Sequence, residues 1–190
     1  MGVRYLYLVR HGQYRMNQED PRYGSLTPLG RRQAKRLGKR LGEVPFDACF
    51  SSDVTRAVET LDIIAPFLAN QTRRSASTLL REGLPTLASH WTFRVDRADV
   101  RKARERMEAA YGRFFKPARG RDRHDLIVGH GNCIRYLVRR ALQDQPSKWW
   151  RLQILQCSLT IVCVDANDKP PLLISFGDAG HLPLAMQTFV

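Results

Sequence analysis

Two short apolar runs in this 190-residue chain each stop at a histidine flanked by glycine. Val3-Arg4-Tyr5-Leu6-Tyr7-Leu8-Val9 leads into Arg10-His11-Gly12, and Asp125-Leu126-Ile127-Val128 leads into Gly129-His130-Gly131. Runs this rich in β-branched and bulky apolar residues, with little polar alternation, are the pattern of strands buried on both faces of a sheet. Helical segments lie between them. Thr27-Pro28 is a helix start, with Thr as N-cap and Pro at the first helical position. Ala34, Leu37, Gly38 and Leu41 then share one face. A short strand over 48–51 precedes a second helix, opened by Asp53 as N-cap, with Ala57, Leu61, Ile64 and Leu68 inward. Residues 79–91 read as irregular and 96–115 as a long polar helix. A helix with Ile134, Leu137, Val138 and Ala141 inward follows His130, and strands over 158–164 and 172–176 close the chain.

This alternation predicts a three-layer α/β/α sandwich with a mainly parallel central sheet. Ligands bind at the carboxyl ends of parallel strands, so His11 and His130 are expected on one sheet edge. The glycine beside each lets backbone N–H groups approach an anion closely. With no internal repeat and no low-complexity linker, residues 1–190 are expected to form a single domain.

Composition excludes several classes. A chain that is 43% hydrophobic and 26% charged is neither disordered nor collagenous. Cys49, Cys133, Cys157 and Cys163 form no C-x-x-C pair and read as buried thiols. They suggest the cytoplasm or another reducing compartment. No apolar run reaches the roughly 18 residues of a membrane span, and no charged-then-apolar signal precedes the first strand.

Charge points to an anionic partner. There are 31 Lys+Arg against 18 Asp+Glu, a net charge of +13, and 25 of the 31 are Arg. The segment 30–42 holds six bases and no acid, and 94–123 holds 11 bases against 5 acids. One reading is an Arg-rich anion-binding module, weakly active, for nucleic acid or acidic lipid. Neither segment carries the interleaved aromatics of a single-strand binder.

Four blocks sharpen this. Leu8-Val9-Arg10-His11-Gly12 with Asn17, Ser51-Ser52-Asp53-Val54-Thr55-Arg56-Ala57-Val58-Glu59-Thr60, Leu80-Arg81-Glu82, and Gly129-His130-Gly131-Asn132-Cys133-Ile134-Arg135 occur in that order. Together they resemble the histidine phosphatase, or phosphoglycerate-mutase-like, superfamily. The stretches 10–14, 80–91, 132–136 and 177–180 are most similar to its branch of mitochondrial protein serine/threonine phosphatases. That branch carries an N-terminal membrane segment and a multimerisation motif, neither of which is seen in this sequence, so anchoring and higher assembly are not expected to carry over.

The resemblance implies a phosphoglycerate-mutase-like fold and a metal-independent phosphomonoesterase needing no cofactor. His11 would attack phosphorus and form a phosphohistidine. Arg10 and Arg56 would fork the phosphoryl oxygens, with His130 as a further donor. Glu82 would protonate the leaving oxygen and then activate water, which requires a raised pKa. Gly12, Asn17, Gly131, Asn132 and His181 are the further candidates for phosphate or substrate binding. Mutases of the superfamily follow the acid with a charged, aromatic closing segment. Here the acid is followed by Gly83-Leu84-Pro85, so hydrolysis is expected rather than transfer. A small-metabolite phosphatase or a mutase are the alternatives to a protein phosphatase. The expected partners are a phosphorylated protein or small phosphomonoester and an acidic partner surface; a homodimer stays open.

One pattern is a decoy. Cys133 and Arg139 fit the C-x5-R of cysteine-dependent phosphatases, but the residues between them are bulky and helical in period, unlike a phosphate-encircling loop.

Overall fold

The computed structural model describes residues 2–20, 23–70, 72–88, 90–92, 94–165 and 169–189. Six strands form one sheet: β1 Arg4–Arg10, β2 Ala48–Ser52, β3 Arg74–Ser77, β4 Arg123–Gly129, β5 Leu159–Val164 and β6 Leu172–Asp178. Their spatial order is β3-β2-β4-β1-β5-β6. The pairs β3/β2, β2/β4 and β4/β1 are parallel, and β5 runs antiparallel to both β1 and β6, so one strand of the six is reversed. Helices α1 Pro28–Leu41, α2 Thr55–Ile64 and α3 Arg97–Phe114 carry the three parallel crossovers, and α4 Gly131–Ala141 follows β4. The three-layer sandwich expected from the sequence is the architecture observed.

Strand alternation divides the core into two halves. Leu6 and Leu8 of β1 and Ile127 of β4 point to the side where Met107 and Ala110 of α3 and Leu137 of α4 pack. Val9, Leu126 and Val128 point to the other side, against Leu37 of α1 and Leu61 and Ile64 of α2. Apart from Ala110, each of these buried side chains contributes about 1.5–3 kcal/mol of apolar burial, and the two halves clamp β1 and β4 between them.

Helix starts follow local chemistry. The Thr27 hydroxyl accepts from Gly30 N at 3.0 Å, and Asp96 caps α3 by accepting from Ala98 N at 2.8 Å. Three expectations need correction. Asp53 is not a helix cap: Val54 holds that position without a side-chain bond, and Asp53 instead pairs with the Arg81 guanidinium, its Oδ1 2.7 Å from Nε. The ion pair ties the loop after β2 to the loop that carries Glu82. Second, α2 ends at Ile64 and passes into a tighter 3₁₀ turn, Ala65–Phe67, because Pro66 lacks the N–H that would continue the helix. Leu68 therefore lies beyond it. Third, the edge strand β3 was not expected; Arg-Ser-Ala-Ser has no apolar run to announce it.

Candidate active site

The register of β1 on β4 places Arg10 opposite Gly129 at the shared carboxyl edge. The residues that follow, His11 and His130, are thus forced together, with ring centroids 5.0 Å apart. Both are buried. The chain re-enters the sheet beside them: Cys157 N donates to Arg10 O at 3.0 Å just before β5 begins. Arg56, on the first turn of α2 behind the end of β2, reaches the same edge, and α4 starts there with His130 as its N-cap.

Hydrogen bonds fix the tautomers. A carbonyl only accepts, so the 2.8 Å contact between His11 Nδ1 and Gly12 O places the proton on Nδ1. The lone pair is then on Nε2, where Arg56 Nε donates at 3.2 Å. Arg56 Nη2 lies 3.3 Å from His130 Nδ1, which must accept, leaving the single N–H of that ring on Nε2. That nitrogen is buried with no partner among the described residues, and so is Arg10 Nε. Two unmatched buried donors cost about 1–3 kcal/mol each, and they belong to the chain neighbour of His11 and to the imidazole packed against it. Both imidazoles are neutral: burial and the adjacent Arg56 and Arg10 push His11 down to about 3, and burial with His11 and Arg56 holds His130 well below the ordinary histidine range.

Arg10 lies against Gly131, where a Cβ would stand 3.5 Å from its Nε, and its Nη1 donates to Ile154 O at 2.9 Å and to Phe189 O. Glu82 faces the N-terminus of α4. Its Oε1 accepts from Asn132 N and Gly83 N, each at 3.2 Å. Burial raises its pKa against the opposing pull of those donors and of Arg10 and Arg135. Its cleft of about 260 Å³ is lined by Leu84, Val95, Val100 and Ala103, with Lys102 and Arg106 beside them.

The structure therefore brings His11, Arg56, His130, Arg10 and Glu82 together. Gly12 belongs to the same loop, and a Cβ there would meet Gly30 O at 2.8 Å. Of the remaining candidates, Asn132 presents its backbone N–H, while its side chain is committed to Gly83 O at 3.1 Å and to Arg135. Asn17 Oδ1 closes its own loop, accepting from Glu19 N and Asp20 N at 2.9 and 3.2 Å. His181 accepts at Nδ1 from Arg40 at 3.2 Å, and burial beside that arginine pushes it down to about 4. Besides Arg40 of α1, it engages the backbone of Cys157, the residue whose N–H donates to Arg10 O.

Four residues in the site escaped the sequence reading. Tyr14 lies under the Arg56 guanidinium at 4.4 Å and edge-on to His11 at 5.0 Å. Thr60 accepts from Gly12 N at 3.1 Å and donates to Arg56 O at 2.6 Å. Arg106 of α3 donates to Glu82 O at 2.8 Å. Arg135 donates to Gly131 O at 3.2 Å and packs its guanidinium 4.8 Å from the Trp149 ring. Thr60 and Arg135 stood inside quoted motifs and carry the α-helical i+4 spacing from Arg56 and Gly131. The Arg106 contact with residue 82 crosses 24 residues of sequence and leaves no local signal.

The decoy pattern is structural. Burial pushes the Cys133 thiol up to about 12, and Arg139 pairs with Asp144. All four cysteines are free, three of them buried. Among the described residues, no group of three or more His, Cys, Asp or Glu could hold a metal ion, and no helix is long and apolar enough to cross a membrane.

Comparison with known proteins agrees with this geometry. The model of the histidine phosphatase superfamily (branch 1) matches residues 6–83 and 80–175. The chain is 38% identical over 188 residues to the mitochondrial serine/threonine-protein phosphatase Pgam5 of Caenorhabditis elegans, covering 95% of this chain and 65% of that protein. It is 35% identical over 190 residues to the human protein of that name, covering 95% and 64%. The chain thus spans a little under two thirds of the length of these relatives. A phosphoglycerate mutase of Plasmodium falciparum superimposes with a TM-score of 0.65 at 26% identity, over 97% of this chain and 96% of that one. The expectation of a cytoplasmic location is overturned, since the relatives are named as mitochondrial. Free thiols report reducing conditions, which are not particular to one compartment. Motifs, fold and relatives converge: the chain belongs to the histidine phosphatase superfamily, branch 1.

Proposed function

We propose that this chain is a phosphomonoesterase acting through a phosphohistidine on His11, with a phosphorylated serine or threonine of a protein as its substrate in mitochondria. The observation that carries the reaction is the pairing of a neutral nucleophile with two unmatched buried donors. His11 Nε2 holds a lone pair beside Arg56, and Arg10 Nε and His130 Nε2 have no acceptor among the described residues. A phosphoryl group satisfies both donors and takes the Arg56 fork. Its equatorial oxygens gain charge stabilisation as the bond to the leaving oxygen loosens.

The steps follow from the same atoms. His11 Nε2 attacks phosphorus in line as the P–O bond breaks, and the leaving oxygen takes its proton from Glu82. Water then attacks the phosphohistidine, giving its proton to the Glu82 carboxylate, and inorganic phosphate departs with His11 restored. Glu82 sits on the amide donors that a phosphate would seek. An arriving anion competes for them and adds negative charge beside the carboxyl group, so binding itself favours the protonated acid. Residues 1–190 serve in this reading as one catalytic domain. The protein substrate rests on the relatives' names, together with a basic surface that suits an acidic phosphoprotein.

The test is turnover of p-nitrophenyl phosphate in EDTA by the wild type and His11→Ala. Loss of turnover in the variant is expected, and equal rates would overturn the mechanism. A screen over phosphopeptides, sugar phosphates and phosphoglycerates then decides the substrate. Preference for phosphoserine or phosphothreonine peptides is expected, and a higher kcat/KM for a sugar phosphate, or phosphate transfer between phosphoglycerate positions, would replace that part of the reading.

A further inference from the structure

The opposite edge of the sheet carries a second concentration of positive charge. Arg4 and Arg123 open β1 and β4, the same two strands that end at His11 and His130. Seven-residue strands put the two edges about 20 Å apart. Around Arg4 and Arg123, a cavity of about 330 Å³ is also lined by Arg113 from the end of α3 and by Lys116, Arg119 and Arg121 from the loop that follows. Cavities that bind small molecules run from about 300 to 1,000 Å³ and are mostly apolar. This one lies at the small end, and six cations form most of its wall.

Asp47 and Asp122 also line the cavity, and their carboxylates are already committed. Asp47 accepts from His124 N at 2.9 Å and pairs with Arg121, and Asp122 accepts from Val3 N at 2.8 Å. Buried Asp125 is shared between Arg123, 2.9 Å away, and Arg4, whose Nε stands 3.6 Å off and has no hydrogen-bond partner among the described residues. Lys116 and Arg119 are exposed and take part in no ion pair among those residues. On the basic face of α1, two of the six bases, Arg31 and Arg40, have Glu59 and Asp178 as partners.

The loop is built rather than loose. Gly120 takes a φ of +81°, which only glycine adopts without strain. Ala118 bridges to Gly2, and a Cβ on Gly2 would stand 2.2 Å from the Arg121 carbonyl. The chain start therefore clamps the loop, and its cations are held around one hollow.

We propose that this cavity is a second anion site, separate from the catalytic edge, that takes a compact ligand carrying two or more phosphoryl groups. Arg121, Arg123 and Arg4 share Asp47 and Asp125, which leaves Arg113, Lys116 and Arg119 without a carboxylate among the described residues; clustered phosphates match several such cations at once. Such clusters occur in free polyphosphates and in the headgroups of polyphosphorylated lipids.

Inorganic tripolyphosphate titrated calorimetrically into His11→Ala protein, which avoids turnover, tests this. Two classes of site are expected, one lost on adding Arg56→Ala and the other weakened about tenfold or more by Lys116→Glu with Arg119→Glu. The second class should also weaken as salt rises. In an otherwise wild-type background the double charge reversal should leave p-nitrophenyl phosphate turnover and the thermal midpoint unchanged. The milder Lys116→Gln, Arg119→Gln pair guards against misfolding. A single class lost with Arg56→Ala, or a second class indifferent to both pairs of substitutions, overturns the proposal. Sedimentation with vesicles containing a phosphoinositide bisphosphate separates the sources. Binding displaced by tripolyphosphate and lost in the double variant assigns a lipid headgroup, and no vesicle binding with tripolyphosphate binding intact assigns a free ligand.

Discussion

Arg56 touches both imidazoles at once, and that single guanidinium sets the chemistry of the edge. It donates to the nitrogen of His11 that must stay unprotonated, and its charge helps keep both rings neutral. Glu82 is shifted the other way by burial. With His11 at about 3, no acidic limb from this residue is expected above pH 4, whereas kcat/KM for an alkyl phosphate should fall as pH rises through the elevated pKa of Glu82. Glu82→Gln should lower kcat on alkyl phosphates about 10²–10⁴-fold. On p-nitrophenyl phosphate, whose leaving group needs little protonation, it should instead give a burst of one equivalent followed by slow turnover, because the base for the water step is gone. Stopped-flow absorbance checks this, and a variant with no burst and an unaltered pH profile would remove Glu82 from both roles. Thr60 is a positioning residue. Thr60→Val strands the buried Gly12 N–H and should lower stability by about 1–3 kcal/mol in urea titrations. It should also reduce kcat more than it changes KM, with Thr60→Ser restoring both.

At the scale of the elements, the site depends on how closely α1 approaches the loop after β1. A Cβ on Gly30 would lie 2.0 Å from Gln13 O, and one on Gly12 would lie 2.8 Å from Gly30 O. Gly30→Ala should therefore cost about 1–3 kcal/mol, a fall of roughly 2–12 °C in Tm for a chain of this size. Turnover should be lost in proportion to the displacement of His11. Calorimetry with a kcat measurement checks this, and a variant with wild-type Tm and kcat would show that the loop can yield. Helices α1, α2 and α4 were legible from a periodic apolar face, α3 as a long polar stretch, and the strands other than β3 as short apolar runs. Edge strand β3 was not, since Arg-Ser-Ala-Ser acquires strand structure only from pairing with β2. Asp53 misled for a related reason: a carboxylate at a helix start is a cap until a guanidinium 28 residues away claims it.

Over the whole molecule, two buried neutral histidines, His11 and His130, and the half-buried His181 should govern acid stability. Their folded-state pKa values, about 3 for His11, about 4 for His181 and well below the ordinary range for His130, lie under the unfolded value near 6.5. The unfolded chain binds more protons below that value, so their contribution is present at neutral pH and drains away as pH falls from about 6.5 toward 4. Glu82 acts in the opposite sense, because its raised folded pKa favours the folded state as pH drops toward the ordinary carboxylate range. With three groups against one, the urea midpoint should fall between pH 7.5 and 4.5, and His181→Gln should flatten the slope; a midpoint constant over that range would reject the neutral assignment. The net charge of +13 pointed to an anionic partner without locating one. Folding divides it among a catalytic edge, a basic hollow at the far edge and the outer faces of the helices. By itself, the sequence determined the layer architecture and the edge on which His11 and His130 meet, because periodicity and caps are local and survive in one dimension, while the resemblance of its four blocks to the histidine phosphatases supplied the residues around them. Tertiary structure alone decided which nitrogen of His11 is free, that Arg106 and Thr60 hold the site in place, that His181 pairs with Arg40, and that six scattered cations share one cavity. Those outcomes depend on burial and on contacts between residues remote in the chain, and both exist only once the sheet has closed.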